Sequence, residues 1–374
     1  MQRLEAAGAV VFGKTNVPPM LGDWQSGNPI YGLTNNPWDL ARSPGGSSGG
    51  AAAALAAGLT GLELGSDIGG SIRQPAHACG VFGHKPSYGL LPMRGHAPDP
   101  QLAGGVDIAV IGPLARSPGD LAIALDLLAR PDPRESRLQW RLPQPAISGF
   151  KGLRVAVWSA DPATETDSEI SAALAQLAKF LRREGTKVSL TARPDFAPRT
   201  SYKIFLQLLG AALSAGPPGS NAAAIARAAG LAKDDESAGA LLTRGMALGH
   251  SEYLGLNERR HRLRRAWASF FEDWDVLLCP AFAAPALPHT DTPRETRTAT
   301  INGRDIPWGE MMFWPGLIGA VHLPATVAPL GMTKSGLPFG VQIVGPMHGD
   351  RTTIAMAGML EKAWRGFVAP AGWD

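Results

Sequence analysis

The sequence predicts an α/β fold in which a central, largely parallel or mixed β-sheet carries helices on both faces. Helical and strand-like segments alternate along its 374 residues, as expected for such a fold. Hydrophobic residues make up 45% of the chain and charged residues 18%, which supplies a large core and excludes a disordered protein. The 45 glycines and 32 prolines follow no three-residue period, so they indicate many tight turns between short elements.

The first predicted elements are short. Met1–Ala7 is typical of the last turns of a helix that Gly8 ends, and Ala9–Phe12 is typical of a buried strand. A helix of this length without an N-cap is a poor nucleus, so the chain is expected to begin within an α/β unit. The alanine-rich stretch Gly50–Gly58 predicts a helix that can lie close against a sheet.

The later elements have clearer signals. Ser117 is a predicted N-cap, followed by Pro118 at the first helical position and Asp120 in the first turn, and the helix should run to about Leu128. Prolines and glycines in Met311–Met332 exclude a straight membrane-spanning helix and favour turns and short strands. Further strands are predicted at Leu153–Trp158, Lys187–Leu190, Asp275–Cys279 and Phe339–Val344, and a helix along Ile170, Leu174, Leu177 and Leu181 that Gly185 ends.

Charge and cysteine content exclude several classes of protein. The formal net charge of +3 is too small to indicate a nucleic-acid partner. Cys79 and Cys279, the two cysteines, lie too far apart in sequence for a disulfide framework or a cysteine-rich zinc site, which favours a reducing cytosol. No secretory signal is recognisable near Met1. A cytoplasmic protein without a membrane segment is therefore expected.

Two glycine clusters that carry serines lie close together in the sequence. The first contains Ser47, and the second contains Gly69, Gly70 and Ser71. Acyl transfer needs an exposed nucleophile beside backbone N–H groups that can bind an oxyanion, and glycines allow a carbonyl to approach such amides. Neither cluster has the pattern of a P-loop, of a dinucleotide fingerprint or of the Gly-x-Ser-x-Gly elbow. Simple turns or phosphate-binding nests remain the structural alternative.

At these clusters the sequence closely resembles the amidase signature family of serine hydrolases. The resemblance covers nearly the whole chain and is weakest from about Arg130 to Trp274. The motifs that carry it are Gly13-Lys14-Thr15-Asn16, Thr34-Asn35-Asn36-Pro37-Trp38, Ser43-Pro44-Gly45-Gly46-Ser47-Ser48-Gly49-Gly50, Gly65-Ser66-Asp67-Ile68-Gly69-Gly70-Ser71-Ile72-Arg73, Gly83-His84-Lys85-Pro86-Ser87 and Gly336-Leu337-Pro338-Phe339-Gly340-Val341-Gln342. It implies one amidase domain over residues 1–374 that cleaves a carboxylic amide to acid and amine.

The resemblance also implies a role for each residue of the two clusters. Ser71 would be the acylated nucleophile and Ser47 the bridging serine of a Ser–cis-Ser–Lys triad, with a cis peptide between Gly46 and Ser47. The oxyanion hole would be formed by Ile68, Gly69 and Gly70, and the site would be supported by Ser48, Asp67 and Arg73. No metal or cofactor is implied.

The expected triad lacks its lysine. The family's lysine lies upstream of the first serine cluster, and its position here falls before Met1, so the chain is expected to be N-terminally truncated and its activity doubtful. Without a base, a serine hydroxyl is a weak nucleophile. Lys14 and Lys85 lie in other motifs and are poor substitutes for this lysine. No Asp lies at a spacing that would orient His77, His84 or His96 as a base for Ser71, so these histidines fit structural roles better.

Substrate recognition is weakly encoded. By resemblance, Leu21 and Gly22 lie in a pocket-forming loop and Trp314 in a late apolar segment that also lines the pocket, although Trp314 fits the core equally well. The expected partner is a small-molecule amide, with no nucleic acid and no membrane, and a homodimer is left open. Two other hypotheses remain: a catalytically inert truncated amidase-like protein, and a glutaminase similar to the amidotransferase subunit that liberates ammonia from glutamine.

Overall fold

The computed structural model of the chain describes residues 1–96, 105–132, 134, 137, 139–214, 219 and 221–373. The strands are Gly27–Asn28 (β1), Gly32–Leu33 (β2), Leu62–Asp67 (β3), Phe82–Lys85 (β4), Val110–Ala115 (β5), Arg154–Val157 (β6), Lys187–Ser189 (β7), Val276–Pro280 (β8), Thr298–Ile301 (β9), Arg304–Pro307 (β10), Ala325–Met332 (β11) and Pro338–Val344 (β12). The α-helices are Gln2–Ala6 (α1), Gly49–Ala56 (α2), Arg73–Cys79 (α3), Pro118–Leu128 (α4), Ser168–Arg183 (α5), Pro198–Leu213 (α6), Ala222–Ala229 (α7), Ala238–Met246 (α8), His250–Asp273 (α9), Phe313–Gly319 (α10) and Asp350–Ala363 (α11).

Eight of these strands form one mixed sheet. Its strand order is β3-β5-β4-β11-β12-β8-β6-β7. The pairs from β3 to β8 are antiparallel, whereas β6 pairs in parallel with both β8 and β7. β1 with β2 and β9 with β10 form two small antiparallel hairpins outside it. The predicted α/β fold with a mixed central sheet is therefore confirmed.

Two hydrophobic cores lie on opposite faces of this sheet. Side chains alternate between the two faces of a strand, so Val155 and Val157 enter one core while Ala156 and Trp158 enter the other. The first core is closed by α4, α5 and α11, and the second by α6, α8, α9 and α10. The helices on both faces confirm the layered arrangement that the alternating sequence pattern predicts.

Helices α2 and α3 pack together against the central part of the sheet. Their contact consists of small and branched side chains, including Ala52 and Leu55 from α2, Ala76 from α3 and Ile72 at the N-cap of α3, all of them fully buried. The small alanines allow the two helices to approach closely. As a result, the segments that immediately precede α2 and α3 lie side by side.

Two local predictions differ from the structure. Ala9–Phe12 forms no strand, and Val10 and Phe12 are 84% and 76% exposed, because no strand in the described part of the chain pairs with this segment. An apolar run becomes a buried strand only where a neighbouring strand satisfies its backbone. Met311–Met332 contains helix α10 as well as strand β11, rather than turns and short strands alone. Among the described residues, no helix has the length and apolarity needed to cross a membrane.

The predicted cap of α4 is present and can be tested. The Ser117 hydroxyl accepts a hydrogen bond from the Asp120 N–H at 3.1 Å and donates to the Asp120 carboxylate at 2.7 Å. We expect Ser117→Ala to lower the free energy of unfolding by about 1 kcal/mol, because an orphan N–H of the first turn loses its partner. Urea denaturation measures this loss. An unchanged midpoint would contradict the capping role.

Candidate active site

The two predicted serine clusters meet at the starts of α2 and α3. The Ser48 N–H donates to the Ser71 carbonyl at 3.2 Å, which joins the two segments directly. Ser47 is 1% exposed and Ser71 6% exposed, and the Gly46–Ser47 peptide is cis. Within the described chain, the hydroxyls of Ser47 and Ser71 form no hydrogen bond with each other or with another group. Both hydroxyls are therefore free to bind a substrate or to exchange a proton.

The loop from Ile68 to Ser71 carries backbone donors that are not occupied, and the N–H of Ile68, a predicted oxyanion donor, is one of those without an acceptor in the described chain. The N–H groups of Gly69 and Ser71 have no acceptor among the residues that the structure describes. The Gly70 N–H differs, because it already donates to the Asp67 carboxylate at 2.9 Å. Gly70 is a predicted oxyanion donor, but its amide is occupied in this structure, since the loop wraps around the carboxylate. The φ angle of +104° at Gly70 explains why this position is glycine. Ile68, at the start of the loop, is half-buried and packs on the second core.

A fully buried ion pair holds this loop in place. The Arg73 guanidinium donates to both oxygens of Asp67 at 2.7 and 2.9 Å, and its remaining contacts are the Pro315 carbonyl and the Gln342 side chain. Burial alone raises the pKa of Asp67, but the charge and hydrogen bonds of Arg73, with a smaller effect of Lys85, bring that pKa below its usual value. Asp67 is therefore ionised at neutral pH.

Other polar side chains hold the segment around Ser47 in place. The Ser48 hydroxyl contacts the Ser66 N–H and carbonyl at 3.3 and 3.4 Å, so it ties the start of α2 to strand β3. Gln74 accepts a hydrogen bond from the Gly46 N–H at 2.9 Å, and the Ser26 hydroxyl lies against the same segment. Ser26 and Gln74 are not among the residues predicted from the sequence, because isolated polar residues carry no pattern that marks them.

None of the lysines in the described chain forms a hydrogen bond with Ser47 or Ser71. Lys14 is exposed, and the Lys85 ammonium donates to the Pro86 carbonyl at 2.8 Å. Burial lowers the pKa of Lys85 to about 7, so a large fraction of this side chain is neutral at neutral pH. Lys85 is thus a buried lysine that faces its own strand end rather than the serines.

The three histidines that follow Ser71 in sequence have other partners. His77 is buried between two backbone groups, and burial lowers its pKa to about 4. His84 contacts Thr326 and Asp350 at 2.9 and 3.2 Å, and His96 is exposed. None of these rings contacts a serine of the two clusters. Within the described ranges, no three His, Cys, Asp or Glu side chains converge as metal ligands.

Of the three predicted pocket residues, one lies in the core and two lie at the surface. Trp314 is fully buried, packs edge-on against Trp158 and donates its indole N–H to Thr166, so it belongs to the core and does not line an open pocket. Leu21 is half-buried and Gly22 is exposed, and both lie at the surface.

Other residues lie against the glycines next to Ser71 and Ser47. A Cβ atom at Gly69 would lie 3.6 Å from the Met312 sulfur and 4.0 Å from the Phe205 ring. On the other side, a Cβ atom at Gly46 would lie 2.8 Å from the backbone of Trp24. The glycine loops are thus bordered by apolar and aromatic side chains on the Gly69 side and by the backbone of Asp23 and Trp24 on the Gly46 side.

A family comparison agrees with this geometry. The family model described as Amidase matches residues 1–354. The chain belongs to the amidase family. It is 33% identical over 384 aligned residues to an indoleacetamide hydrolase of Bradyrhizobium japonicum, with 100% of this chain and 77% of that protein covered. It is 31% identical to a glutamyl-tRNA(Gln) amidotransferase subunit from Picosynechococcus sp., with 97% and 76% covered.

Solved amidase structures share the fold of this family member. A 6-aminohexanoate cyclic dimer hydrolase matches with a TM-score of 0.76 at 27% identity, covering 100% of this chain and 79% of that one. A bacterial aryl acylamidase of the amidase signature family matches with a TM-score of 0.77 at 23% identity, covering 99% and 76%. The similar proteins hydrolyse amide C–N bonds, which supports amide hydrolysis as the chemistry of this amidase.

Proposed function

We propose that this amidase hydrolyses an uncharged, apolar carboxylic amide through an acyl intermediate on Ser71. The observation that carries the proposal is the free Ser71 hydroxyl directly beside the free N–H groups of Gly69 and Ser71. A nucleophile and preorganised oxyanion donors on one rigid loop are the arrangement that acyl transfer requires. The buried Asp67–Arg73 pair supports the rigidity of that loop.

In this mechanism the Ser71 oxygen attacks the amide carbon while its proton passes to the Ser47 hydroxyl. The carbonyl oxygen becomes an oxyanion that the N–H groups of Gly69 and Ser71 bind. Ser47 gives its own proton to the leaving nitrogen, the C–N bond breaks, and the amine departs. Water then attacks the Ser71 ester, which releases the acid and restores the hydroxyl. The two serine hydroxyls must approach each other when substrate binds, as catalytic hydrogen bonds often tighten only in the complex.

The surroundings of the loop support an apolar substrate. The Met312 sulfur and the Phe205 ring border the Gly69 side. Asp67 and Arg73, the charged side chains that hold the loop before Ser71, are already paired with each other. A charged substrate would find no unpaired counter-charge there, and an unpaired buried charge is costly. The similarity to an indoleacetamide hydrolase is in line with an aromatic acetamide.

A substrate panel tests the proposal. It contains indole-3-acetamide, phenylacetamide, an anilide, a p-nitrophenyl ester and glutamine. We expect kcat/KM for the best aromatic amide to exceed that for glutamine at least about tenfold, which corresponds to about 1.4 kcal/mol of transition-state binding. A preference for glutamine would favour the amidotransferase-type glutaminase instead.

We also propose that full turnover requires a lysine that the described chain does not place at the serines. This part rests on the resemblance and on the contacts of Lys14 and Lys85. The panel is therefore repeated on the chain fused to the preceding, lysine-bearing segment of an active relative. A large gain in kcat supports the proposal. Equal turnover of the two forms would contradict it, and inactivity of both would favour the inert alternative.

A further inference from the structure

We propose that Ser26 is a positioning residue for Ser47. Its hydroxyl binds backbone groups that precede Ser47 and backbone groups that follow it in the sequence. The Ser26 hydroxyl donates toward the Gly45 carbonyl at 2.9 Å and the Ser47 carbonyl at 3.2 Å. The same oxygen accepts a hydrogen bond from the Gly49 N–H at 3.0 Å. One buried hydroxyl therefore joins the backbone before Ser47, at Ser47 and after it.

The side chains of Gln74 and Ser43 also hold this segment, but only before Ser47, whereas the Ser48 hydroxyl holds it after Ser47. Gln74 binds the Gly46 N–H, and the Ser43 hydroxyl binds the Gly45 N–H at 3.1 Å. Both contacts precede Ser47. Among the described side chains, Ser26 is the one whose hydrogen bonds reach across Ser47 to the first turn of α2. Ser26 thus links the backbone before Ser47 to the first turn of α2, which is the link that we propose orients the Ser47 side chain.

Ser26 is itself firmly held. It is fully buried, and its carbonyl accepts a hydrogen bond from the Thr34 N–H at 2.8 Å. A Cβ atom at Gly49 would lie 2.4 Å from the Ser26 oxygen, so the close contact also requires glycine at that position. We call the three hydrogen bonds of the Ser26 hydroxyl the Ser26 clamp. Such a set of hydrogen bonds can fix a neighbouring hydroxyl to a fraction of an ångström, which is the precision that proton transfer needs.

The inference rests on the proposed role of Ser47 in proton relay. Removing the Ser26 hydroxyl leaves the Gly49 N–H without its acceptor and frees the Ser47 backbone to move. Substrate binding does not involve Ser26, so the variant should lose turnover rather than affinity. We expect Ser26→Ala to lower kcat about 10- to 100-fold with KM within about twofold of the parent value.

The test compares the parent chain, Ser26→Ala and the control Ser201→Ala. Ser201 is a fully buried serine of α6 whose hydroxyl has no hydrogen-bond partner in the described chain, so its removal changes no polar contact. Steady-state kinetics give kcat and KM on the best amide of the panel. Hydrogen–deuterium exchange of the peptide covering residues 43–50 measures how well its backbone N–H groups are protected, and this does not depend on activity.

The outcomes separate this inference from the proposed function. If neither the chain nor its lysine-bearing fusion hydrolyses an amide, the proposed function is wrong, and the exchange data alone then decide whether Ser26 holds this segment. Faster exchange over residues 43–50 in Ser26→Ala, but not in Ser201→Ala, supports the clamp. Unchanged exchange overturns it. With an active parent, an unchanged kcat or an equal loss in both variants overturns the positioning role.

Discussion

Taking as parent the form that hydrolyses the amide, either the chain itself or the chain fused to a lysine-bearing segment, we expect Ser71→Ala to abolish amide turnover while leaving the fold as stable as before. Removing the nucleophile of a serine hydrolase lowers kcat by about 10³- to 10⁶-fold, and the residual rate comes from the remaining oxyanion donors and from substrate binding. The Ser71 hydroxyl has no hydrogen-bond partner in the described chain, so its loss leaves no protein group unpaired. The free energy of unfolding should therefore change by less than about 0.5 kcal/mol.

Two measurements check this expectation. Steady-state assays of the parent and the variant give the loss of kcat, and urea denaturation of the same preparations gives the change in stability. Reaction with a fluorophosphonate reagent, followed by mass spectrometry, should modify the parent at Ser71 and leave the variant unmodified. Ser201→Ala serves as the control and should retain both turnover and labelling. Turnover of Ser71→Ala within tenfold of the parent would exclude an acyl-Ser71 intermediate.

The fold was largely predictable because its signals are local. The Ser117 cap, the apolar stripe that includes Ile170 and Leu174, and the strand-like run Phe339–Val344 each appear in a short window, and each is found where predicted. The segment Ala9–Phe12 shows the limit of such signals. Its apolar residues indicate what the segment would bury, but not whether a neighbouring strand is present to pair with it.

The supporting residues of the site were harder to find for a different reason. Ser26, Gln74 and Gln342 are single polar residues far apart in sequence, and only the folded chain brings them to the serine loops. Gly70 illustrates a second limit. A glycine motif shows that a backbone amide can be approached closely, but not which acceptor occupies it, and here Asp67 does.

Loss of the Arg73 side chain is expected to have the largest effect on stability. Arg73 makes four hydrogen bonds from a fully buried position, two of them to Asp67. Arg73→Met would leave the Asp67 carboxylate buried without the arginine charge and would remove one donor each from the Pro315 carbonyl and the Gln342 amide oxygen. Breaking one partner of a buried ion pair lowers stability by about 3–5 kcal/mol. Urea denaturation measures the loss, with Arg304→Met at an exposed ion pair as the control that should change stability little.

The pH dependence of this loss distinguishes an unpaired charge from lost packing. With Arg73 present, the pKa of Asp67 lies below its usual value, so the pair contributes stability that is lost only as the pH falls below about 4. Without Arg73, burial raises the pKa of Asp67 above the unfolded value, and the folded variant takes up a proton that the unfolded chain does not. The stability deficit of the variant relative to the parent should then shrink as the pH falls from 8 toward 5, because His77 titrates in both forms and cancels in the difference. Loss of the Arg73 charge, which lowers the pKa of Lys85, changes the deficit in the same direction. A deficit that is constant over this range would show that lost packing, not charge, is responsible.

A second substitution at Asp67 completes the test. Adding Asp67→Asn to Arg73→Met removes the buried charge but keeps an oxygen that can accept the Gly70 N–H, so the double variant should be more stable at pH 7 than Arg73→Met alone. The deficit of the double variant relative to the parent should instead stay constant between pH 8 and pH 5, because asparagine does not titrate and the opposite effects of Arg73 and Asp67 on the pKa of Lys85 are both removed. If Arg73→Met cannot be recovered folded while the double variant can, the same conclusion follows. A double variant less stable than Arg73→Met would mean that the carboxylate holds the oxyanion loop even without its arginine.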